Sequence, residues 1–152
     1  MSIAVSGLIF VLASNLFKPG NKVGDIALDI SLRSVNGTEF RLSNNRGKVI
    51  ILDFMTTTCP YCIEEFKAIG KLDSNEIRVI SINLDGTDDE ALNSFANSNG
   101  VTWFIGSSMQ SGSNYQVSAV PTIIIVDKEG IIRYRGYYTT TEELIQVIGR
   151  SS

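Results

Sequence analysis

The sequence predicts an α/β domain with mixed parallel and antiparallel strands. Two short, almost uninterrupted apolar runs, VIILDFM at residues 49–55 and IRVISINL at 77–84, have the composition of strands buried on both faces of a sheet. Between them lies an amphipathic segment with helical spacing. Two turn signals, Asn36-Gly37 and the tetrapeptide DKEG at 127–130, each sit between alternating stretches and predict antiparallel hairpins.

The first seventeen residues, MSIAVSGLIFVLASNLF, carry no charge and give way to KPGNK. That shift in composition reads as a boundary between an apolar N-terminal segment, residues 1–22, and one folded domain, residues 23–152. An apolar run ending in small residues, with Val11-x-Ala13 as a cleavage pattern, fits a secretory leader. Its length also reaches the lower limit for a membrane anchor. Both readings place the domain outside the cytoplasm, secreted or membrane-anchored through residues 1–17. Against them, Lys18 and Lys22 follow the run and no Lys or Arg precedes it, which by the positive-inside rule favours a cytoplasmic domain. A helix packed on the domain or on a second copy is the remaining reading.

Past Gly24 the elements follow in order. Residues 28–34 and 38–42 flank Asn36-Gly37 and predict a hairpin closed by a type I′ turn. The strand 49–55 leads through a CPYC loop into a helix over 60–73, with Ile63, Phe66, Ile69, Gly70 and Leu72 on or near one face. The strand 77–84 follows, then a helix ending near Gly100, for which Thr87 and Glu90 have capping-box spacing. SSMQSGSN, residues 107–114, is polar and reads as a surface loop. Residues 121–127 and 131–136 make the second hairpin, and Thr140 with Glu143 forms a capping box opening the last helix.

At 152 residues and 43% hydrophobic the chain is sized for one core. A net charge of −3 with no block of like charges leaves no electrostatic footprint for nucleic acid or an anionic surface. The chemistry concentrates in TTTCPYCIEEF, which holds the only two cysteines. Zinc normally needs four Cys or His ligands, and the chain has no histidine and no third cysteine, so no metal is expected. A purely structural bridge across two residues closes a very short loop and removes little unfolded-state entropy. Thiol-disulfide exchange remains, with the cysteine pair itself as the redox group and no other cofactor.

Cys59 ends a buried strand and Pro60 opens a helix, a position where proline's missing N–H is not needed. Cys59 therefore faces unpaired helix amides and the positive end of the helix dipole, which favour a thiolate. It reads as the nucleophile. Cys62, one turn further in, reads as the buried thiol that resolves a mixed disulfide. Asp53 interrupts the apolar strand six residues before Cys59; a carboxylate there is costly unless paired or protonated. It reads as the proton acceptor and donor for Cys62 through water, the alternative being a sheet-end residue bonded to backbone.

The CxxC between a buried strand and a helix, the Asp53-Phe54 dipeptide before it, and Val120-Pro121-Thr122 before a later strand together resemble the thioredoxin superfamily. VGDIALDISLRSVNGTEFRLSNNRGKVIILDF resembles the N-terminal extension of the TlpA/ResA-like, or redoxin, thiol-disulfide oxidoreductases, and the extra residues between IRVISINLD and VPT match their central insertion. The resemblance runs from about Gly24 to Gly149. It implies a thioredoxin-like fold: a central mixed β-sheet flanked by helices, with an N-terminal β-hairpin extension and a central helix-strand insertion. It further implies a cis Pro121 facing the cysteines, the Val120 backbone pairing with substrate, and Thr58, Pro60 and Tyr61 at the substrate surface. The implied partners are protein substrates with thiols or disulfides and a redox partner that recharges the CPYC pair.

The chain departs from the family in places. Cytochrome-maturation members carry Trp before the first Cys and Pro five residues after the second; here these are Thr58 and Lys67. Asp53 stands where the branch usually has Asn, and in this the chain is more like classical thioredoxins. Glu65 matches an active-site Glu of the haem-maturation reductases, or else is a solvated helix acid like its neighbour Glu64. Pro60-Tyr61 is the dipeptide common in glutaredoxins, without any other glutathione-site signal. Peroxiredoxins, an alternative class, share the extended fold and a Thr at the place of Thr56, but need a Pro where this chain has Leu52. A redox-inert binding module or a copper carrier is the non-enzymatic alternative; Cu(I) suits two thiolates, but copper carriers of this fold generally add a His. Trp103 and Tyr137-Tyr138 suggest a docking surface, although aromatics near strands are more often core.

Overall fold

The computed structural model describes residues 17–151; most of the apolar segment, residues 1–16, lies outside the described residues. The Lys18 carbonyl accepts the Ile26 N–H at 2.9 Å. Strand β1 (Pro19–Gly20) runs parallel to β2 (Ile26–Ala27), and the Asn21 carbonyl accepts a hydrogen bond from Arg135 Nη1 at 3.0 Å. Then come the hairpin strands β3 (Ser31–Arg33) and β4 (Glu39–Arg41), antiparallel, with Leu32 opposite Phe40.

The main sheet has five strands: β5 (Val49–Met55), β6 (Ile77–Asn83), β7 (Phe104–Ser107), β8 (Thr122–Val126) and β9 (Ile132–Gly136). Their spatial order is β7-β6-β5-β8-β9. β6 is parallel to β5 and β7 to β6, while β8 is antiparallel to β5 and β9 to β8. Central position explains the apolar run: every residue of β5 is buried, because alternate side chains enter different cores. Ile50, Leu52 and Phe54 pack with Leu32, Phe40, Leu42 and Tyr115 under the hairpin. Val49, Ile51 and Met55 pack on the other face with Cys62, Phe66, Ile69, Leu92, Ala96, Leu144 and Ile148. These come from α1 (Pro60–Ile69), α2 (Asp89–Ser98) and, beyond the short α3 (Met109–Asn114), α4 (Thr141–Ser151).

The N-terminal extension partly covers both sheet edges, which would otherwise expose unpaired backbone groups. Gly24 and Ala27 donate to the carbonyls of Ile132 and Gly130 (2.8 and 2.9 Å), and Val35 donates to Ile105 of β7 at 3.0 Å. Gly106 makes the second contact feasible, since a Cβ there would collide with the Arg33 carbonyl oxygen. Among the described residues no helix is long and apolar enough to cross a membrane.

Three local expectations are corrected. The hairpin at Asn36-Gly37 forms without a type I′ turn: only Gly37 has a positive φ, 87°, and Ser34 N–H bonds the Thr38 carbonyl at 2.9 Å around a three-residue loop. Asn36 instead uses its side chain, Oδ1 accepting from the Thr38 amide and hydroxyl at 3.1 and 2.7 Å, the local bonding that lets Asn replace a backbone turn. The cap of α2 is Asp88, whose carboxylate accepts from Ala91 N–H at 2.9 Å; Thr87 is occupied by Asp85. Residues 107–114 are not a loop throughout, for β7 ends in them and α3 follows, capped by the Ser108 hydroxyl on Ser111 N–H at 3.1 Å. Ser111 and Gly112 are buried, and Leu84 packs where a side chain of residue 112 would stand.

Candidate active site

Cys59 and Cys62 are joined as a disulfide with their Cα atoms 5.3 Å apart. Cys59 is the N-cap of α1 with extended backbone, φ −98° and ψ 108°, and its Sγ accepts the N–H of Cys62 at 3.1 Å. Pro60 takes the first helical turn, where its ring is pre-set for the helix. Helical rotation separates the two sulfurs in environment. Cys59 is half-buried, whereas Cys62 is 0% exposed and packs in the helix-side core.

The loop that delivers Cys59 is fixed by Asp85. One of its carboxylate oxygens accepts from the Thr57 amide (2.8 Å) and hydroxyl, the other from Asn83 Nδ2 (2.8 Å) and from Thr87. Partial burial would push this carboxyl up, but the bonds from Thr57, Thr87 and Asn83 outweigh it and hold it well below the usual carboxylate range. Thr58 is exposed at the lip of the loop. Opposite, the Val120–Pro121 peptide is cis, and the Val120 carbonyl oxygen lies 3.7 Å from Cys59 Sγ. Tyr61 projects outward and is 69% exposed.

Two carboxyls lie beneath this surface. Asp53 shares its face of β5 with Ile51 and Met55, the face on which Cys62 packs. It is 0% exposed. Ser81, directly opposite in the β5–β6 register, donates to Asp53 Oδ2 at 2.7 Å, and Trp103 Nε1 donates to the Ser81 hydroxyl at 2.9 Å. Asp53 Oδ1 has no partner. Burial pushes this carboxyl up to about 7, the Ser81 bond opposing and the nearby Glu65 charge adding to the rise.

Glu65 is also 0% exposed, unlike Glu64, which is exposed and pairs with Lys67 at 3.0 Å. The solvated-acid reading of Glu65 is thus corrected: it lies three residues after Cys62, on the inward face of α1. Its Oε2 accepts from the Thr139 amide at 2.9 Å and its Oε1 is unpartnered. Burial pushes it up to about 7, the Thr139 bond opposing and the Glu143 charge adding.

The structure therefore gathers Cys59, Thr58, Pro60, Tyr61, Val120 and Pro121 around one site and sets Cys62, Asp53 and Glu65 in the core behind it. Trp103 does not join the Tyr137-Tyr138 surface. Its indole packs on Phe66, ring centroids 5.7 Å apart, and covers Gly70. Sequence reasoning missed Ser81, Asp85 and Thr139. A serine inside the apolar run IRVISINL was the available signal for the first, and the turn sequence Asp85-Gly86-Thr87 for the second. Among the described residues no group of three His, Cys, Asp or Glu could hold a metal.

Known proteins resemble this arrangement. Thiol-disulfide oxidoreductase ResA of Geobacillus kaustophilus is 28% identical over 152 residues, covering 95% of this chain and 87% of that one. Thioredoxin-like protein YneN of Bacillus subtilis is 28% identical over 120 residues, 75% and 71% of the two chains. The crystal structure of a DsbF homologue from Corynebacterium diphtheriae superimposes with a TM-score of 0.73 over 80% of this chain and 83% of that one. At 20% identity this last likeness speaks for the fold alone. Residues 23–135 match the model of the AhpC/TSA family. With its thioredoxin-like sheet, its Cys59–Cys62 pair and its ResA-like sequence, the chain belongs to the AhpC/TSA family as a thiol-disulfide oxidoreductase of the TlpA/ResA-like, redoxin kind.

Proposed function

We propose that the protein exchanges electrons between its Cys59–Cys62 pair and cysteines of protein substrates, Cys59 forming the mixed disulfide and Cys62 resolving it. The observation that carries this reading is the asymmetry of the pair: Cys59 is half-buried at a helix N-terminus, and Cys62 is wholly buried. Only Cys59 can meet a second protein without rearrangement of the core. When the pair is reduced, the Cys62 N–H and the helix dipole favour a Cys59 thiolate.

In one direction the Cys59 thiolate attacks a substrate disulfide, forming one S–S bond and expelling a substrate thiolate. Cys62 then gives its proton to the Asp53 carboxylate through water, attacks Cys59 Sγ and expels the second substrate sulfur. The substrate leaves with two more electrons, and its two thiolates take protons from Asp53 and from solvent. The reverse sequence oxidises a substrate dithiol. A carboxyl near 7 is matched to both halves of this proton transfer at neutral pH. Glu65 sustains that match, its charge pushing Asp53 upward. The disulfide carries the electrons without further cofactor, and a separate redox partner returns the pair to its starting state.

A Cys62→Ser variant is expected to accumulate mixed disulfides between Cys59 and substrate proteins, visible on non-reducing gels and released by dithiothreitol. Absence of any such adduct, with the variant folded, would remove protein substrates from the account. We place the domain outside the cytoplasm, with the uncharged run at residues 1–17 as leader or anchor. An alkaline phosphatase fused after Ser152 is expected to be active; activity only from a cytoplasmic reporter would reverse the placement.

A further inference from the structure

Three of the chain's five tyrosines meet beside the disulfide. Tyr61, Tyr137 and Tyr138 are 69%, 61% and 51% exposed, and single exposed aromatics would need no explanation. These are contiguous: the Tyr61 and Tyr138 rings meet edge to face with centroids 6.1 Å apart. With Ala119, Val120 and Pro121 the three line a cleft of about 300 Å³. No lining residue is charged. The volume lies at the lower limit for small-molecule pockets, ~300–1,000 Å³, which suits one large side chain.

The loop bearing Tyr137 and Tyr138 is held in place. Thr139, wholly buried, donates its N–H to Glu65 at 2.9 Å and its hydroxyl to the Tyr137 carbonyl at 2.6 Å, and meets Tyr134 Oη at 2.9 Å. Exposed tyrosines on a pinned backbone present contact area at little entropic loss, the property of an interface anchor. The cleft is also continuous with the reacting sulfur, since Val120, one of its walls, places its carbonyl 3.7 Å from Cys59 Sγ.

We propose that this cleft selects protein substrates by an aromatic or large aliphatic side chain one or two residues from the reacting cysteine, with Tyr137 and Tyr138 as the specificity-determining residues. The inference rests on Cys59 being the sulfur that meets substrate. An uncharged cleft disfavours a charged neighbour, which would lose its hydration without a partner. A small polar neighbour would leave the tyrosine faces unfilled.

The test is the rate of exchange between the full chain and two disulfide-bonded peptides that differ only in Phe or Ser beside the cysteine. The Phe peptide is expected to react about tenfold faster in kcat/KM, the difference lying in KM. Tyr137→Ala/Tyr138→Ala is expected to bring the ratio near one, and Tyr137→Phe/Tyr138→Phe to keep it. Equal rates on the two peptides, or a preference that survives the alanine pair, would overturn the cleft's role. Equal rates with a dimer that the alanine pair abolishes would overturn it in favour of a second copy as occupant. If neither peptide nor dithiothreitol exchanges with the native pair, the reading of Cys59 itself fails, and the cleft with it.

Discussion

Asp53 sits at a point where burial, strand pairing and chemistry conflict. The β5 position demands an apolar side chain, and the carboxyl there meets one hydroxyl and leaves one oxygen unpartnered. Its pKa in the fold, about 7, lies above the ordinary 3.8. The folded protein therefore retains a proton that the unfolded chain has lost, and stability falls as pH rises from about 4 to about 7, then levels off. Asp53→Asn removes the Asp53 share of this dependence and leaves that of Glu65, whose carboxyl is also raised to about 7. In the oxidised protein it is expected to be more stable than the native chain at pH 8, by at most about 4 kcal/mol, with the gap shrinking toward pH 4. Urea unfolding at the two pH values checks it; an equal difference at both would mean that Asp53 is ionised throughout. Asp53 was legible in the sequence as the one charge in an apolar run. Its pairing with Ser81 was not, because the serine marks itself as polar in an apolar run but nothing local says which residue it meets 28 positions away. Glu65 and Glu64 looked alike until helix rotation buried one and exposed the other.

At the scale of elements, legibility followed length and burial. β5 and β6 were plain because burial on both faces enforces an apolar run. β7, four residues reading Phe-Ile-Gly-Ser, carries too short a pattern to declare itself, and the six-residue α3 is polar by composition, its place fixed by the Ser108 cap and by Gly112 under Leu84. The α2 cap was misassigned to Thr87 because Thr87 and Asp88 are both able caps; the loop clamp on Asp85 claims the threonine and leaves the aspartate free. The hairpin's seat on β7 yields a direct check. Gly106→Ala places a Cβ against the Arg33 carbonyl oxygen, which cannot move without breaking the bond from Val35 to Ile105. A loss of about 1–3 kcal/mol is expected in urea unfolding, while an unchanged midpoint would show that the hairpin is only loosely seated.

For the whole molecule, fold and chemistry meet at one end of the sheet. β5 delivers the CPYC loop, the cis proline stands beside it just before β8, and α1 buries the second cysteine in the core on the side where Asp53 and Glu65 are buried. The architecture was legible in outline, from two buried strands, a CxxC and two hairpins. The cleft beside the disulfide was legible only as residues, because Tyr61 and Tyr137-Tyr138 are far apart in sequence and meet only when α1 and the loop after β9 are packed together. What the whole arrangement asserts is that one sulfur is presented and activated while the other is withheld. The most direct measurement is the pH dependence of alkylation of the reduced protein by iodoacetamide, with the modified cysteine mapped by mass spectrometry. Labelling is expected at Cys59 alone, with an apparent pKa depressed into the range of ~3.5–7.5. Equal labelling of Cys62, or a Cys59 pKa near the ~8.5 of an unperturbed thiol, would contradict it.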